Sequence, residues 1–583
     1  MVLIRRRQKQ YKVTRVSSRN DTTGVAHSVC LVCMLSAMVI ILPSPISCSE
    51  TGAGVQDNNR VDETYVVCPV DPFGPFPILP DTPPASVTRD NRVRLQACRG
   101  EFESASFVIR SSRALSNVQV MSTDLVGQAG VAIPASAVDV RLVKCWYQAG
   151  RNVWETDKRI LVPELLLKDD DLVRVDLKSK QNFIRVNIAG KARYIEISTP
   201  GATIPDRAIT NDAKYILPFD LPANFTKQVW LTVKVPPQAP AGVYSGSILL
   251  VDSENGQRAI SIEVQVLPFD LDPAILEYAL YYRGKVTYEP FPGIGSEWKT
   301  PMQYRVELED IRAHGVSYPT IYQPYDPVAL TRALEIRDDV GLPKDRLYVL
   351  GMGTGNPADV QSIRLLGEKV ARWKRVATGH GYHRIYIYGI DEAKGKRLSS
   401  QRAAWERVHQ EGAGVFTACH EGDWKLVGNL LDVAVLSGPF KSEDVRAWHS
   451  LGKRVLIYSN PQAGVEDARI YRENYGYRLW MNGYDGAMDY AYQHGFSCIW
   501  NDFDNERYRD HVFAYPTTDG VIDTIQWEGF REAVDDVRYL STYLNGGYKI
   551  RDLEAPRRIK RVFGTLDAVT MREEITAKLS LGR

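Results

Sequence analysis

Two hydrophobic rhythms divide this chain. From about residue 63 to 270, short segments alternate apolar and polar residues, as at 91–97, 105–110, 229–235 and 259–266. Turns rich in Gly, Pro, Asn and Asp separate them. Strict alternation with frequent turns predicts half-buried strands and a β-sandwich, one large or two small, with an irregular insert near 150–215. After about residue 271 the rhythm changes. Continuous apolar runs predict buried strands at 277–283, 317–323, 346–352, 384–390, 414–420, 432–437, 454–460 and 496–502. Helical spacing appears between most of them. At 359–381, Val360, Ile363, Leu366, Val370 and Trp373 share one face. At 302–314, Tyr304, Leu308 and Ile311 do the same, and Gly315 ends the helix. Strand and helix in turn, eight times over, predict a (β/α)8 barrel. The alternative is an open doubly wound sheet. No glycine-rich phosphate loop opens a helix after the first strand, which counts against nucleotide binding.

The chain of 583 residues is too long for one core, so several domains are expected. The boundaries read as 1–49 for targeting, 50–62 for a linker and 63–270 for the sandwich. The barrel follows at 271–550, with a helical extension at 551–583. Residues 29–42 form an apolar run behind basic residues and ahead of small ones. That pattern predicts an export signal, with an uncleaved membrane anchor as the alternative. A net charge of +2 argues against a nucleic-acid partner. Beyond the signal, Cys68, Cys98, Cys145, Cys419 and Cys498 are too few and too widely spaced for a disulfide framework or a zinc site. The 30 tyrosines suit sugar binding and a large core equally well.

The strongest chemical signal lies where the fourth barrel strand ends. The apolar run 384–390 leads directly into Asp391 and Glu392. Barrel enzymes place their chemistry at strand C-termini. Two close carboxylates raise each other's pKa, and a protonated acid beside an ionised one is what glycosidic cleavage needs. Gly389 is expected to let the backbone twist so that both acids reach one substrate. Other strand ends offer Tyr281 and Arg283, Tyr322, His420, Asn460, and Trp500, Asn501 and Asp502 as sugar-binding residues. His420 has no second histidine at ligand spacing, so no metal is expected, and nothing calls for a cofactor. Serine-esterase, zinc-protease and phosphate-loop motifs are absent.

The segments at 515–520 and 525–540, YPTTDG and IQWEGFREAVDDVRYL, resemble the signature of the domain-of-unknown-function 4091 family, which is related to glycoside hydrolase family 123. The stretches 99–107, 162–169 and 235–246 support that resemblance, which spans most of residues 90–545. It implies a sandwich followed by a barrel. It also implies release of terminal β-linked N-acetylgalactosamine, assisted by the substrate's own acetamido group, with an adjacent Asp-Glu pair that matches Asp391 and Glu392. Glu392 is then the acid and base, and Asp391 orients the acetamido group. Two rivals stand beside this. One is a two-carboxylate glycosidase with Asp502 or Asp504 as nucleophile. The other is a non-catalytic carbohydrate-binding protein of the cell envelope.

Overall fold

The computed structural model describes residues 65–83, 91–254, 256–288, 293–553 and 568–582. The targeting segment and the linker expected at 1–62 lie outside the described residues. None of the described helices is long and apolar enough to cross a membrane.

Two sheets face each other in the N-terminal region. One runs in the order Tyr65–Val70, Phe102–Ser111, Thr226–Lys234, Val138–Gln148, Ile160–Leu167. The other is built on Phe219–Leu221, Leu115–Ser122, Gly242–Val251, Gln257–Val266 and Arg92–Ala97. Alternation decides which side chains meet. Phe107, Ile109, Leu142, Val229 and Leu231 of the first sheet share a core with Val118, Val120, Ile248, Ile260 and Ile262 of the second. The expected irregular insert holds ordered structure: Val173–Asp176, Gln181–Ile188 and Lys191–Glu196 form a three-stranded antiparallel sheet. Their many polar and charged residues, as in Lys191–Glu196, hid them in the sequence. The cysteines at 68, 98, 145, 419 and 498 are free thiols.

The second region is an eight-stranded parallel sheet. In chain order its strands are Glu277–Leu280, Tyr318–Pro319, Leu347–Gly353, Ile385–Tyr388, Gly414–Cys419, Val433–Ser437, Arg454–Tyr458 and Gly486–Asp489. They neighbour one another in sequence around the sheet, and a bridge from Ile321 to Val349 brings the second against the third. The sheet is therefore a barrel rather than an open doubly wound layer. Each strand splits its side chains by parity. Tyr348, Tyr386, Phe416, Val433, Val435, Leu456, Tyr458 and Met488 fill the interior. Leu347, Val349, Ile385, Ile387, Val415, Val455 and Ile457 pack outward against helices such as Val360–Gly379. Both faces are buried, so the runs read as continuously apolar. Many of the tyrosines are spent on this filling.

The eighth strand corrects the expectation at 496–502. The strand is the four-residue Gly486–Asp489, too brief to stand out as a run. Residues 496–502 are a loop whose apolar character has another cause. Ile499 and Trp500 pack with Trp146, Leu165 and Tyr515 against the small sheet of the N-terminal region.

Buried charges weld the sandwich to the barrel. Arg141 pairs with Asp523 at 2.9 Å, and Ser104 donates to Glu528 at 3.0 Å. His314 lies between Asp310, at 3.1 Å, and Glu528, at 3.5 Å, stacked on Trp527. Burial alone would lower the His314 pKa, but the two carboxylates overcome it and push it up to about 10. The same pairing holds Glu528 down to about 2 against its own burial, with Arg531 contributing most. Asp310, His314 and Asp523 have donor atoms within 4.8 Å of one another, close enough to share a cation. A protonated imidazole already supplies the positive charge there.

A pH profile of stability should follow. The His314 contribution is full below its unfolded pKa of about 6.5 and is lost as pH rises toward 10. The Glu528 contribution is full above about 4.5 and is lost as pH falls toward 2. The share of stability supplied by these two groups should be largest between about pH 4.5 and 6.5, read from denaturant midpoints of wild type against His314→Gln over about pH 3 to 10. In His314→Gln the fall on the alkaline side should flatten.

Candidate active site

The C-terminal mouth of the barrel is ringed by tyrosines. Tyr281, Tyr322, Tyr388, Tyr458 and Tyr490 all belong to the interior cluster. They come from the ends of the first, second, fourth, seventh and eighth strands. Asp391 and Glu392 stand in their midst, and each carboxylate has its own phenol. The Tyr388 hydroxyl donates to Asp391 Oδ1 at 2.5 Å and lies 3.4 Å from the Tyr281 hydroxyl. The Tyr458 hydroxyl donates to Glu392 Oε1 across the barrel.

Strand alternation would send adjacent acids to opposite faces. The turn that overcomes this occurs at Glu392 itself, whose φ of +45° is left-handed, a strained conformation for a residue with a Cβ. Gly389, expected to supply that freedom, has a different task. A Cβ there would lie 3.0 Å from Thr417 Cβ and 3.1 Å from the Trp405 ring, so the position is set by packing of the fourth strand against the fifth and against the helix Arg402–Gln410. The turn is tied down from three sides. Thr417 Oγ1 donates to the Ile390 carbonyl at 3.2 Å, and Gln401 Oε1 accepts from Ile390 N–H at 2.7 Å. His420 Nε2 lies 3.1 Å from the Glu392 carbonyl oxygen, to which its N–H form donates.

Asp391 is open to solvent through the mouth yet crowded by protein. Burial raises its pKa, the Tyr388 hydrogen bond opposes this, and the Glu392 charge adds to the rise. Tyr388 is itself raised, by burial and then by the Tyr281 and Asp391 groups around it, so it stays a proton donor.

Arg283 extends the constellation. Its Nη1 donates to the Tyr490 hydroxyl at 2.9 Å, its guanidinium lies 5.2 Å from the Tyr322 ring centre, and it pairs with Glu297. Lys285 pairs with the same carboxylate at 2.7 Å.

Of the residues the sequence nominated, Tyr281, Arg283, Tyr322 and His420 are thus gathered around Asp391 and Glu392. The others are placed elsewhere. Asn460 turns toward the helix Ala468–Tyr475: its N–H donates to the Tyr475 hydroxyl at 3.0 Å, and its Oδ1 is 3.4 Å from Asn474 Nδ2. Trp500 is buried and donates its indole N–H to the Pro516 carbonyl at 3.0 Å. Asn501 is buried and donates to the carbonyls of Thr199 and Ala202, both at 2.9 Å. Asp502 accepts from Ala149 N–H at 2.8 Å, Arg509 Nε at 2.6 Å and Asp510 N–H at 2.9 Å. These three hold the N-terminal region to the loop after the eighth strand. They were nominated because that strand was placed too late.

Sequence reading missed Tyr388, Tyr458, Tyr490 and Glu297. Tyr388 was visible in principle, three residues before the acid pair. Tyr458 read as strand core, and Tyr490 belonged to an unrecognised strand end. The real end of the eighth strand also carries Asp489, fully buried, which accepts from Ser459 N–H at 2.7 Å and is pushed by burial up to about 7.

No family model matches this chain, and no curated protein matches it in sequence. Among solved structures, the chain is similar to a family 123 glycoside hydrolase from Clostridium perfringens. The TM-score is 0.59 at 12% identity, covering 89% of this chain and 98% of that one. A family 39 glycoside hydrolase from Bacteroides cellulosilyticus matches at a TM-score of 0.29 and 11% identity, over 67% of this chain and 82% of that one. Only the first likeness is deep enough to carry weight. At that identity it establishes a shared architecture of β-rich N-terminal region and barrel, and nothing about chemistry.

Proposed function

We propose that this protein is a retaining glycoside hydrolase that releases terminal β-linked N-acetylgalactosamine, or another N-acetylhexosamine, with help from the substrate's 2-acetamido group. One observation carries the reading. Two adjacent carboxylates stand at the mouth of the barrel, within a ring of tyrosines, each held by a separate phenol. The Clostridium perfringens structure supports it only through the shared architecture. Tyrosine faces suit the apolar face of a pyranose, and the phenols and Arg283 suit its hydroxyls.

In this reading the acetamido oxygen attacks the anomeric carbon, so the protein supplies no nucleophile. Glu392 protonates the leaving oxygen and then deprotonates the water that opens the cyclic intermediate. Asp391 orients the acetamido N–H and balances the charge that develops on the ring. The reverse assignment, with Asp391 as proton carrier, has one observation in its favour: burial raises the Asp391 pKa, and the Tyr388 hydrogen bond only partly opposes this. The two-carboxylate alternative loses the residues named for it. Asp502 is committed to Arg509, and Asp504 accepts from Cys498 N–H at 2.6 Å.

The test is a screen of the purified protein against aryl β-glycosides with and without a 2-acetamido group, together with a thiazoline mimic of the cyclised sugar. Turnover confined to the acetamido substrates, and thiazoline inhibition far tighter than that by the free sugar, is the expected pattern. Asp391→Asn should weaken both. Trapping of a covalent adduct by a 2-fluoro sugar would replace this mechanism with a two-carboxylate one. Residues 1–49 are assigned an export role on their sequence pattern, which N-terminal sequencing of the mature protein checks.

A further inference from the structure

A file of aromatic rings leads away from the barrel mouth. It starts at Tyr490, whose hydroxyl meets Arg283 and, at 2.9 Å, His494 Nδ1. From Tyr490 the ring centres step to His494 at 5.4 Å and to Phe496 at 4.4 Å. Tyr508 follows at 5.2 Å, stacked on Phe496, and then Trp154 at 5.2 Å. The first four rings are half-buried, and Trp154 is 64% exposed. The file crosses from the loop after the eighth strand to the loop between Val138–Gln148 and Ile160–Leu167 of the N-terminal region.

A lone exposed tryptophan is ordinary on a protein surface. This one is held in place at some cost. Arg509, fully buried, pairs with Asp502 and Glu466 and donates to the Gly150 carbonyl at 2.5 Å. Its N–H donates to the Val153 carbonyl at 2.9 Å, directly before Trp154. Thr156 reaches across to the Glu506 carbonyl at 3.1 Å. A desolvated ion cluster contributes little to net stability, so its effect here is positional: it locks the two loops that carry the file.

We propose that Phe496, Tyr508 and Trp154 form a binding subsite for the neutral glycan chain beyond the sugar that is cleaved. The inference rests on the glycosidase reading of the barrel mouth and goes beyond it. Two features point to a sugar chain. The file is continuous, through Tyr490, with the ring of tyrosines around the carboxylate pair. Its side chains are rigid, amphipathic surfaces that cost little entropy on binding. The Trp154 loop carries three basic and two acidic side chains, with Glu155 paired to Lys158 at 3.3 Å, so it presents little net charge to a ligand. Because the terminal sugar must reach Asp391 and Glu392 at the barrel mouth, a chain running outward along the file is the leaving-group side. The preferred substrate is then an oligosaccharide rather than a small glycoside.

The test compares two probes on the full chain. One is 4-nitrophenyl N-acetyl-β-galactosaminide, which ends in a single aromatic ring. The other is a neutral tetrasaccharide with β-linked N-acetylgalactosamine at its non-reducing end. Trp154→Ala should lower kcat/KM on the tetrasaccharide by about 10-fold or more, mostly through KM, the usual size for loss of a central aromatic contact. On the aryl glycoside it should change by less than about 2-fold, since no sugar reaches that ring. Trp154→Phe should recover most of the loss. Equal effects on both probes, or no effect on the tetrasaccharide, would overturn the subsite. Direct titration of Glu392→Gln with the tetrasaccharide separates this inference from the reading it rests on. Binding that Trp154→Ala weakens, in a protein whose wild type cleaves neither probe, keeps the subsite and removes the hydrolase. Absence of binding removes the subsite.

Discussion

Glu392→Gln is expected to lower turnover of an oligosaccharide, whose leaving group is a poor one, by about 10²–10⁴-fold, the usual contribution of a general acid. Activated aryl glycosides should suffer much less, because their leaving groups depart without a proton. The amide can still accept from the Tyr458 hydroxyl, so the left-handed turn and the fold should survive. The measurement is kcat/KM across aryl glycosides of graded leaving-group pKa. A slope that steepens in the variant identifies Glu392 as the acid. If Asp391→Asn steepens the slope instead, the roles are reversed. An unchanged rate on the oligosaccharide removes Glu392 from the mechanism.

Asp502→Ala is expected to cost stability rather than chemistry. The carboxylate is buried and takes three hydrogen bonds, one of them from the fully buried Arg509. Removing one partner of a buried ion pair costs about 3–5 kcal/mol, because the remaining charge loses compensation without regaining water. Arg509 would keep Glu466, which places the loss toward the lower end. Two N–H groups, of Ala149 and Asp510, would lose their acceptor as well. Chemical denaturation followed by tryptophan fluorescence reads the loss directly. Asp502→Asn should be milder, keep the fold, and leave turnover of the aryl glycoside within a few-fold of wild type. Loss of that turnover with unchanged stability would return Asp502 to the active site as the nucleophile of a two-carboxylate enzyme.

The contrast between these two residues shows where the sequence was informative. Asp391 and Glu392 stood out because a run of apolar residues delivered them to a strand end, and strand ends of a barrel converge whatever the helices between them do. Asp502 had the same local appearance, an acid after an apolar run. Its run was apolar because Ile499 and Trp500 pack on the small sheet of the N-terminal region, a contact between segments more than 300 positions apart. Local pattern reports that a residue is buried and leaves open which partner buries it.

By itself, then, the sequence determined the two rhythms, and with them a sandwich-like β region followed by eight parallel strands, seven of which it located. Side-chain parity along a strand is a local property, and so is the period of a helix. It also determined the position of the acid pair. Tertiary structure alone decided the remainder. It identified Gly486–Asp489 as the eighth strand, since four residues make a strand only when neighbours on both sides pair with them. It turned both carboxylates into one mouth through the strained backbone at Glu392, and it gave each a tyrosine from a different place in the chain. It also moved Trp500, Asn501 and Asp502 out of the site and brought Trp154 alongside Tyr508. The reason is the same in each case. Periodicity is set by neighbours along the chain, whereas a site is set by distances between segments that only closure of the barrel, and its docking on the N-terminal sheets, bring within reach.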